Sequence, residues 1–177
     1  MAPTAGASST VAAGTVTLLT DAPQSEAMLL GGISRSFEPP ATLRLTQDAW
    51  RFTFPVSGGH LDPGTGTAGA RGGLVLWGRE TMSASLQLSF TKLTVTTGAH
   101  PALSGLYWLS GKRRHVLATL DMSRASVTSS TSGGHDWVTL AGVPATMTEW
   151  LGHQLTSALP RYKPSDRRLG TVTVRAR

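Results

Sequence analysis

Apolar and polar residues alternate along much of the chain, which is the pattern of strands that bury one face. Alternation and β-forming residues predict strands at 15–19, 33–37, 50–56, 72–77, 83–95, 102–109, 115–120, 136–143 and 169–174. Within 83–95 the alternation shifts between Phe90 and Leu93, which predicts a β-bulge. Turn-rich stretches separate these runs, and the one at 123–134 predicts a mobile loop or a weak hairpin.

Two short segments have the signals of helices instead. Asp21 is suited to cap a helix that carries Pro23 in its first turn and ends at Gly31-Gly32. The stretch 146–149 reads as a capping box for a second helix that Pro160 ends. The apolar face of this second helix would consist of Trp150, Leu151, Leu155 and Leu159.

The order of these elements predicts a mainly β fold. We expect a single-domain antiparallel sandwich or partly closed barrel with two short helices over 15–177, preceded by a flexible N-terminal tail at 1–14. A length of 177 residues suits one domain. No apolar run approaches the ~20 residues of a membrane-spanning helix, so we predict no membrane span.

Composition agrees with a fold of strands and turns. Thr occurs 24 times and Ser 18 times, beside 20 Gly and 10 Pro. The absence of cysteine excludes disulfides, thiolate zinc sites, iron–sulfur clusters and cysteine nucleophiles. The net charge is +6, and residues 161–177 carry six basic residues against one acid. Such a terminus can contact nucleic acid, but few aromatic residues are interleaved with these charges. We therefore favour a solvated edge strand and no nucleic-acid partner.

Several motifs carry a family resemblance. The stretches FPVSGG at 54–59, LDPGTG at 61–66 and GGL at 72–74 resemble the pattern FPVTGG…DPxTGxG…GGL of a family of actinobacterial proteins, usually secreted. LATLD at 117–121 and LGTVTV at 169–174 resemble two later segments of that family. The resemblance therefore extends over about residues 15–177.

That family is similar in turn to the haem-binding HtaA-type domain, an all-β module of actinobacterial haem uptake. Domains of this type carry an axial Tyr after a motif of the form SFxxY. Here Ser36-Phe37 is followed by Glu38-Pro39-Pro40, so no Tyr stands at this place. The resemblance implies an all-β fold, a haem-like ligand and secretion.

Four residues are candidates for ligand contacts. His135 and Trp137 would share one face of a strand and could bind an aromatic or polyene ligand, or be a rim His and a core Trp. Tyr107 lies in an apolar strand beside Trp108 and could mark a polar point in a pocket, ligate haem or act as an acid. Its alternative is an ordinary aromatic residue of the core.

Other kinds of chemistry have no motif in the chain. The five histidines do not have zinc-site spacing, and we predict no metal site. Leu103-Ser104-Gly105 lacks the first glycine of a nucleophile elbow, and the glycines at 64–69 do not open a helix.

Two functional hypotheses follow. The first is a non-catalytic module, secreted or on the cell surface, that binds a hydrophobic or planar small ligand through Tyr107, Trp108, His135 and Trp137. We assign no cofactor, and haem is the candidate that the resemblance implies. The alternative is a cofactor-free natural-product cyclase or isomerase with an apolar β-barrel pocket, which would be cytoplasmic if Met1 is the native start. A structural surface module is a third possibility, and a homodimer could form through an edge strand such as 169–174.

Overall fold

A computed structural model describes residues 9–10, 12–46, 48–79, 85–111, 113–158, 162–164 and 166–177. Within these residues lie thirteen strands and two α-helices. The strands are β1 (Ser9–Thr10), β2 (Gly14–Thr20), β3 (Ile33–Glu38), β4 (Thr42–Leu45), β5 (Trp50–Leu61), β6 (Thr67–Ala70), β7 (Gly73–Arg79), β8 (Ser85–Thr96), β9 (Ala102–Tyr107), β10 (Arg113–Leu120), β11 (Ser126–Ser132), β12 (His135–Met147) and β13 (Arg168–Ala176). The helices are α1 (Ala22–Leu30) and α2 (Glu149–Ala158).

Eight strands close into an antiparallel barrel. Their order is β5-β2-β13-β12-β10-β9-β8-β6, and β6 closes the ring because it pairs with both β8 and β5. Strands make up well over half of the described residues. The predicted mainly β, antiparallel architecture with two short helices is therefore confirmed.

The other strands extend the barrel wall. β7 pairs with β8 and β3 pairs with β7, while β4 pairs with the first half of β5. β11 pairs only with β12 among the described strands and forms with it a hairpin at one end of the barrel. The segment predicted as a mobile loop or weak hairpin is thus a seven-residue paired strand.

Strand β13 lies inside the barrel wall and not at an edge. It pairs along one side with β2 and along the other with β12. The expectation that 169–174 is a free edge strand is therefore wrong, because closure of the barrel uses both of its edges.

Bulges adjust the register of the long strands, among them one in β8 and one in β12. In β8 the pairing with β9 shifts between Thr91 and Thr94, with Lys92 at a φ of 47°, as the interrupted alternation predicts. In β12 the pairing with β13 shifts between Leu140 and Val143, where Gly142 adopts a φ of 67° that only glycine takes without strain.

Both helices cover the same end of the barrel, which we call the helix end. The register places Thr20, Trp50, Tyr107, Met147 and Arg168 there. α1 follows β2 after a single residue, Asp21, and α2 follows β12 after a single residue, Thr148. The opposite end, which carries the β11–β12 hairpin, is the hairpin end.

The predicted cap of α1 is present, whereas the predicted capping box at 146–149 is wrong, because Thr146 still lies in β12 and Thr148 caps α2. The Asp21 carboxylate accepts a hydrogen bond from the Gln24 backbone N–H, and the Leu151 N–H donates to Thr148 Oγ1. The predicted end of α2 at Leu159 and Pro160 lies outside the described residues. Of the predicted N-terminal tail, residues 1–8 and 11 lie outside them too, and Ser9–Thr10 pairs with the end of β5.

A single hydrophobic core fills the barrel and continues beneath both helices. Its largest fully buried side chains include Trp50, Tyr162, Phe52, Phe54 and Phe90. Tyr162 attaches the segment before β13 to α1, because its hydroxyl accepts a hydrogen bond from the Gln24 amide. Burial raises the pKa of Tyr162, which keeps the phenol neutral.

No helix among the described residues is long and apolar enough to cross a membrane.

Candidate functional site

The inside of the barrel is filled by its own side chains. A cavity between the wall and the helices measures about 20 Å³ and is lined by apolar side chains such as Leu18, Phe52, Phe90 and Leu155. A water molecule needs roughly 10–15 Å³, whereas a site for a small organic ligand measures about 300–1,000 Å³. This cavity therefore has room for about one water molecule and for no organic ligand.

A larger space lies on the outside of the helix end, between α1 and the turn that joins β4 to β5. This groove, which we call the α1 groove, has a volume of about 390 Å³. Its apolar lining consists of Ala22, Leu29, Leu45, Ala49 and Trp50. Its polar lining consists of Ser25, Glu26, Thr46 and Asp48. The volume is that of a site for a small organic molecule.

Two leucines line the α1 groove while remaining open to solvent. Leu29 is 54% exposed and Leu45 is 65% exposed. Leu29 lies in the last turn of α1, and Leu45 is the last residue of β4. Covering both side chains with an apolar ligand would remove this surface from water, at about 25 cal/mol for each Å².

Hydrogen bonds hold the floor of the α1 groove in place. Thr20 Oγ1 lies 2.6 Å from Ser25 Oγ, which ties the end of β2 to α1. The same Thr20 oxygen accepts a hydrogen bond of 2.9 Å from the Trp50 backbone N–H. Thr46 N–H donates to the Ala49 carbonyl across the turn. Helix and turn are therefore both anchored to Thr20 and Trp50.

A cation lies against the tryptophan of the floor. The Arg35 guanidinium is 3.7 Å from the centre of the Trp50 ring, a cation–π contact. Burial lowers the pKa of Arg35, although a guanidinium keeps its charge at neutral pH. Arg35 itself does not line the α1 groove.

A cluster of aromatic side chains lies under α2 at the helix end. The His115 ring stacks on Trp150 with centroids 4.0 Å apart and planes 10° apart. Tyr107 meets Trp150 edge to face at 5.3 Å and lies 5.3 Å from Phe90. Ser110 Oγ is within 3.1 Å of His115 Nε2. These contacts surround the phenol with protein and cover part of the imidazole.

Tyr107 is buried within this cluster. Its hydroxyl donates to Gln154 Oε1 over 3.4 Å, which is a long hydrogen bond. Burial raises the pKa of the phenol. A neutral Tyr107 can donate a hydrogen bond, but it is a poor source of a phenolate at neutral pH. Its neighbour Trp108 is 65% exposed, in the turn that follows β9.

The other two predicted residues lie at the opposite end of the molecule. His135 is exposed at the start of β12, in the hairpin with β11. Trp137 is partly buried beneath the last residues of β13. The guanidinium groups of Arg175 and Arg177 lie 4.5 and 5.3 Å from its ring centre. The structure thus separates the four predicted ligand residues into a pair at each end and does not assemble them into one site.

The residues of the α1 groove were not predicted as site residues from the sequence. Leu29 is part of a short apolar run at the end of a predicted helix, which looks like core in the sequence. Leu45, Glu26 and Asp48 belong to no motif. The run Met28-Leu29-Leu30 contains a signal of exposed apolar surface. A helix cannot turn three consecutive residues toward the core, so at least one of them must face solvent.

No group of three His, Asp or Glu side chains among the described residues could hold a metal ion.

Comparisons with known proteins identify the fold. No protein-family model matches the sequence, and the search of curated proteins gave no match. The C-terminal domain of HtaA from Corynebacterium glutamicum has a similar structure, with a TM-score of 0.60 and 14% identity. The match covers 93% of this chain and 98% of that one. The haem-binding protein HtaB from the same organism matches with a TM-score of 0.50 and 17% identity, over 96% of each chain. The chain therefore has an HtaA-like all-β fold.

Proposed function

We propose that this domain binds a hydrophobic or planar small molecule, and that the α1 groove is the site. The proposal depends above all on the volume of about 390 Å³ beside two exposed leucines. The similar fold of HtaB, a haem-binding protein, supports a planar apolar ligand as the class. The filled barrel interior favours a site on the outer surface.

Haem itself is a poor fit to the α1 groove. Haem iron is held by His, Cys, Met or Tyr side chains, and none of these is among the described residues that line the groove. Tyr107 and His115 are of the right type, but they are packed against Trp150 and Phe90. At the helix end, the side chains that could ligate iron therefore lie in the aromatic cluster under α2, whereas the open volume lies in the α1 groove.

The cyclase or isomerase alternative receives no support from the barrel interior. Such an enzyme would surround its substrate with an apolar cavity, whereas the cavity described above measures about 20 Å³. No observation on the described residues favours this second function over ligand binding.

The first experiment is a fluorescence titration with N-phenyl-1-naphthylamine, a neutral, largely planar, apolar probe. We expect saturable binding to the wild type and at least tenfold weaker binding to the double variant Leu29→Gln, Leu45→Thr. Leu109→Gln is the matched control, because Leu109 is 58% exposed but lies in the turn after β9. All three substitutions are at exposed positions, so circular dichroism should show unchanged folding. Equal affinity of the double variant and the wild type would rule out the α1 groove.

A second titration with haemin tests the predicted ligand residues. We expect no Soret band of an axially ligated iron, because the groove offers no suitable ligand. A ligated spectrum that is lost in Tyr107→Phe or His115→Gln would transfer the site to the aromatic cluster under α2. A ligated spectrum that is lost in His135→Ala would transfer it to the hairpin end.

A further inference from the structure

The α1 groove differs in charge from the protein around it. The chain has 16 Lys and Arg against 10 Asp and Glu. The nine described residues that line the groove nevertheless include two carboxylates, Glu26 and Asp48, and no Lys or Arg. A cationic protein therefore presents a locally anionic groove.

Neither carboxylate is neutralised by a described neighbour. The ion pairs among the described residues join Arg124 to Asp121, Arg167 to Glu149 and Arg168 to Asp21. Arg35, whose backbone lies in β3, has its guanidinium over the Trp50 ring. Glu26 and Asp48 are both exposed and approach the groove from opposite sides, one from α1 and one from the β4–β5 turn.

We infer that the α1 groove binds a small amphiphilic cation, an apolar body that carries a single ammonium group. The apolar body covers Leu29 and Leu45, and the ammonium group lies near Glu26 and Asp48. This assignment rests on the proposed function and narrows its ligand class. It also accounts for the poor fit of haem, whose carboxylates would meet two further carboxylates.

The occupant is a small molecule and not a protein segment. Exposed apolar surface at the groove is confined to a few side chains, among them Leu29 and Leu45, whereas a stable protein interface buries at least about 1,200 Å² in total. A volume of about 390 Å³ suits a molecule with a chain or ring system of moderate size.

The test compares decylammonium with decanoate, which have equal chain length and opposite charge. Each displaces bound N-phenyl-1-naphthylamine from the wild-type protein at low ionic strength, below the micellar concentration. We expect decylammonium to compete at roughly tenfold lower concentration, since two exposed carboxylates each contribute a modest attraction to one ion and repulsion to the other. Raising NaCl from 20 to 200 mM should reduce this tenfold difference in competing concentration, because salt screens exposed charges.

Variants of the carboxylates provide the decisive readout. The ratio of the decanoate concentration to the decylammonium concentration that displaces half of the probe should fall toward one in the double variant Glu26→Gln, Asp48→Asn. The probe affinity is measured separately for each protein. Asp136→Asn, an exposed acid at the hairpin end, is the matched control and should keep the wild-type ratio.

The outcomes separate the two proposals. Equal competition by decylammonium and decanoate, with normal probe binding, would overturn the charge preference and leave the groove as a site. A preference that survives in Glu26→Gln, Asp48→Asn would also overturn it, because the charge would then come from elsewhere. Absence of probe binding to the wild type would instead refute the proposed function itself.

Discussion

The helix end and the hairpin end of the barrel are built from similar residue types in opposite ways. At the helix end Trp50 is 1% exposed, and the hydroxyl of the buried Tyr162 is bonded to Gln24. At the hairpin end Trp137 keeps part of its ring in solvent, and every residue of Ser126–Ser132 is exposed. Two helices cover the first end, whereas the second extends as a hairpin.

This difference shows where the fold can support a binding site. Buried hydrogen bonds at Thr20 and Gln24 fix α1 against the barrel, so the groove beside α1 has rigid walls. A preformed site loses less conformational entropy when a ligand binds. The hairpin end presents exposed hydroxyl groups and the Trp137 ring stacked on Arg175. Its β11 side chains are all exposed, so no buried contacts of theirs hold a site rigid there.

The largest expected contrast is in the stability effect of the two tryptophans. Trp50→Ala should lower the free energy of unfolding by about 3–5 kcal/mol, because a fully buried ring leaves a cavity. Trp137→Ala should lower it by no more than about 1 kcal/mol, since its ring is partly solvated and stacks on surface arginines. Urea unfolding followed by circular dichroism measures both. Equal losses would mean that the two ends are equally important for the core.

The tyrosine hydroxyls sharpen the comparison within the helix end. Tyr162→Phe should cost about 1–3 kcal/mol, because it leaves the buried Gln24 amide with only the weak acceptor Met147 Sδ. Tyr107→Phe should cost less than about 1 kcal/mol, since its bond to Gln154 is 3.4 Å long. The same unfolding assay applies. A greater loss for Tyr107→Phe would show that the cluster under α2, and not the α1 contact, stabilises this end.

Alkaline pH should weaken the helix end specifically. Burial raises the pKa of Tyr162 and Tyr107 above the unfolded value of about 10. The folded state therefore retains these protons where the unfolded state has lost them. The resulting stability is fully present below pH 10 and is lost as the pH rises through the folded pKa values. Tyrosinate absorbance at 295 nm, recorded beside the unfolding free energy, follows this loss. A titration at the pKa of free tyrosine for both residues would contradict it.

The smallest expected effect is at the hairpin end. Arg175→Ala should reduce the free energy of unfolding by about 0.5–1 kcal/mol through loss of its contact with Trp137. Trp137 fluorescence should change at the same time, since the ring becomes more solvated. Arg113→Ala, an exposed arginine at the start of β10, is the control. A loss above about 2 kcal/mol would indicate that the hairpin end contributes to the core.

Local signals in the sequence were sufficient for most elements. Alternation and β-forming residues located all strands except β1, β4, β6 and β11. The interrupted run near Phe90 located the bulge of β8, and Asp21 located the start of α1. The pairing of strands that lie far apart in the sequence could not be predicted from such local signals. LGTVTV at 169–174 has the same pattern in an edge strand and in a strand of a barrel wall, and only the pairing with β2 and β12 distinguishes them.

The candidate site was less predictable than the fold. Tyr107 and Trp137 were singled out as aromatic residues in strands, but which end of the barrel each occupies depends on how their strands pair with neighbours elsewhere in the chain. The α1 groove joins Leu29 to Leu45 and Glu26 to Asp48 across two elements that share no motif. Residues of this kind become neighbours only when α1 docks beside the β4–β5 turn.

The sequence by itself determined the mainly β class, the two capped helices and the absence of cysteine chemistry, because each depends on residues close together in the chain. The tertiary structure alone decided that the barrel closes, that its interior is filled and that an open groove lies outside it. Closure and packing depend on how side chains from distant strands fill one volume, and no local pattern records that volume. The charge of the groove is likewise a property of two distant carboxylates that the fold brings to the same place.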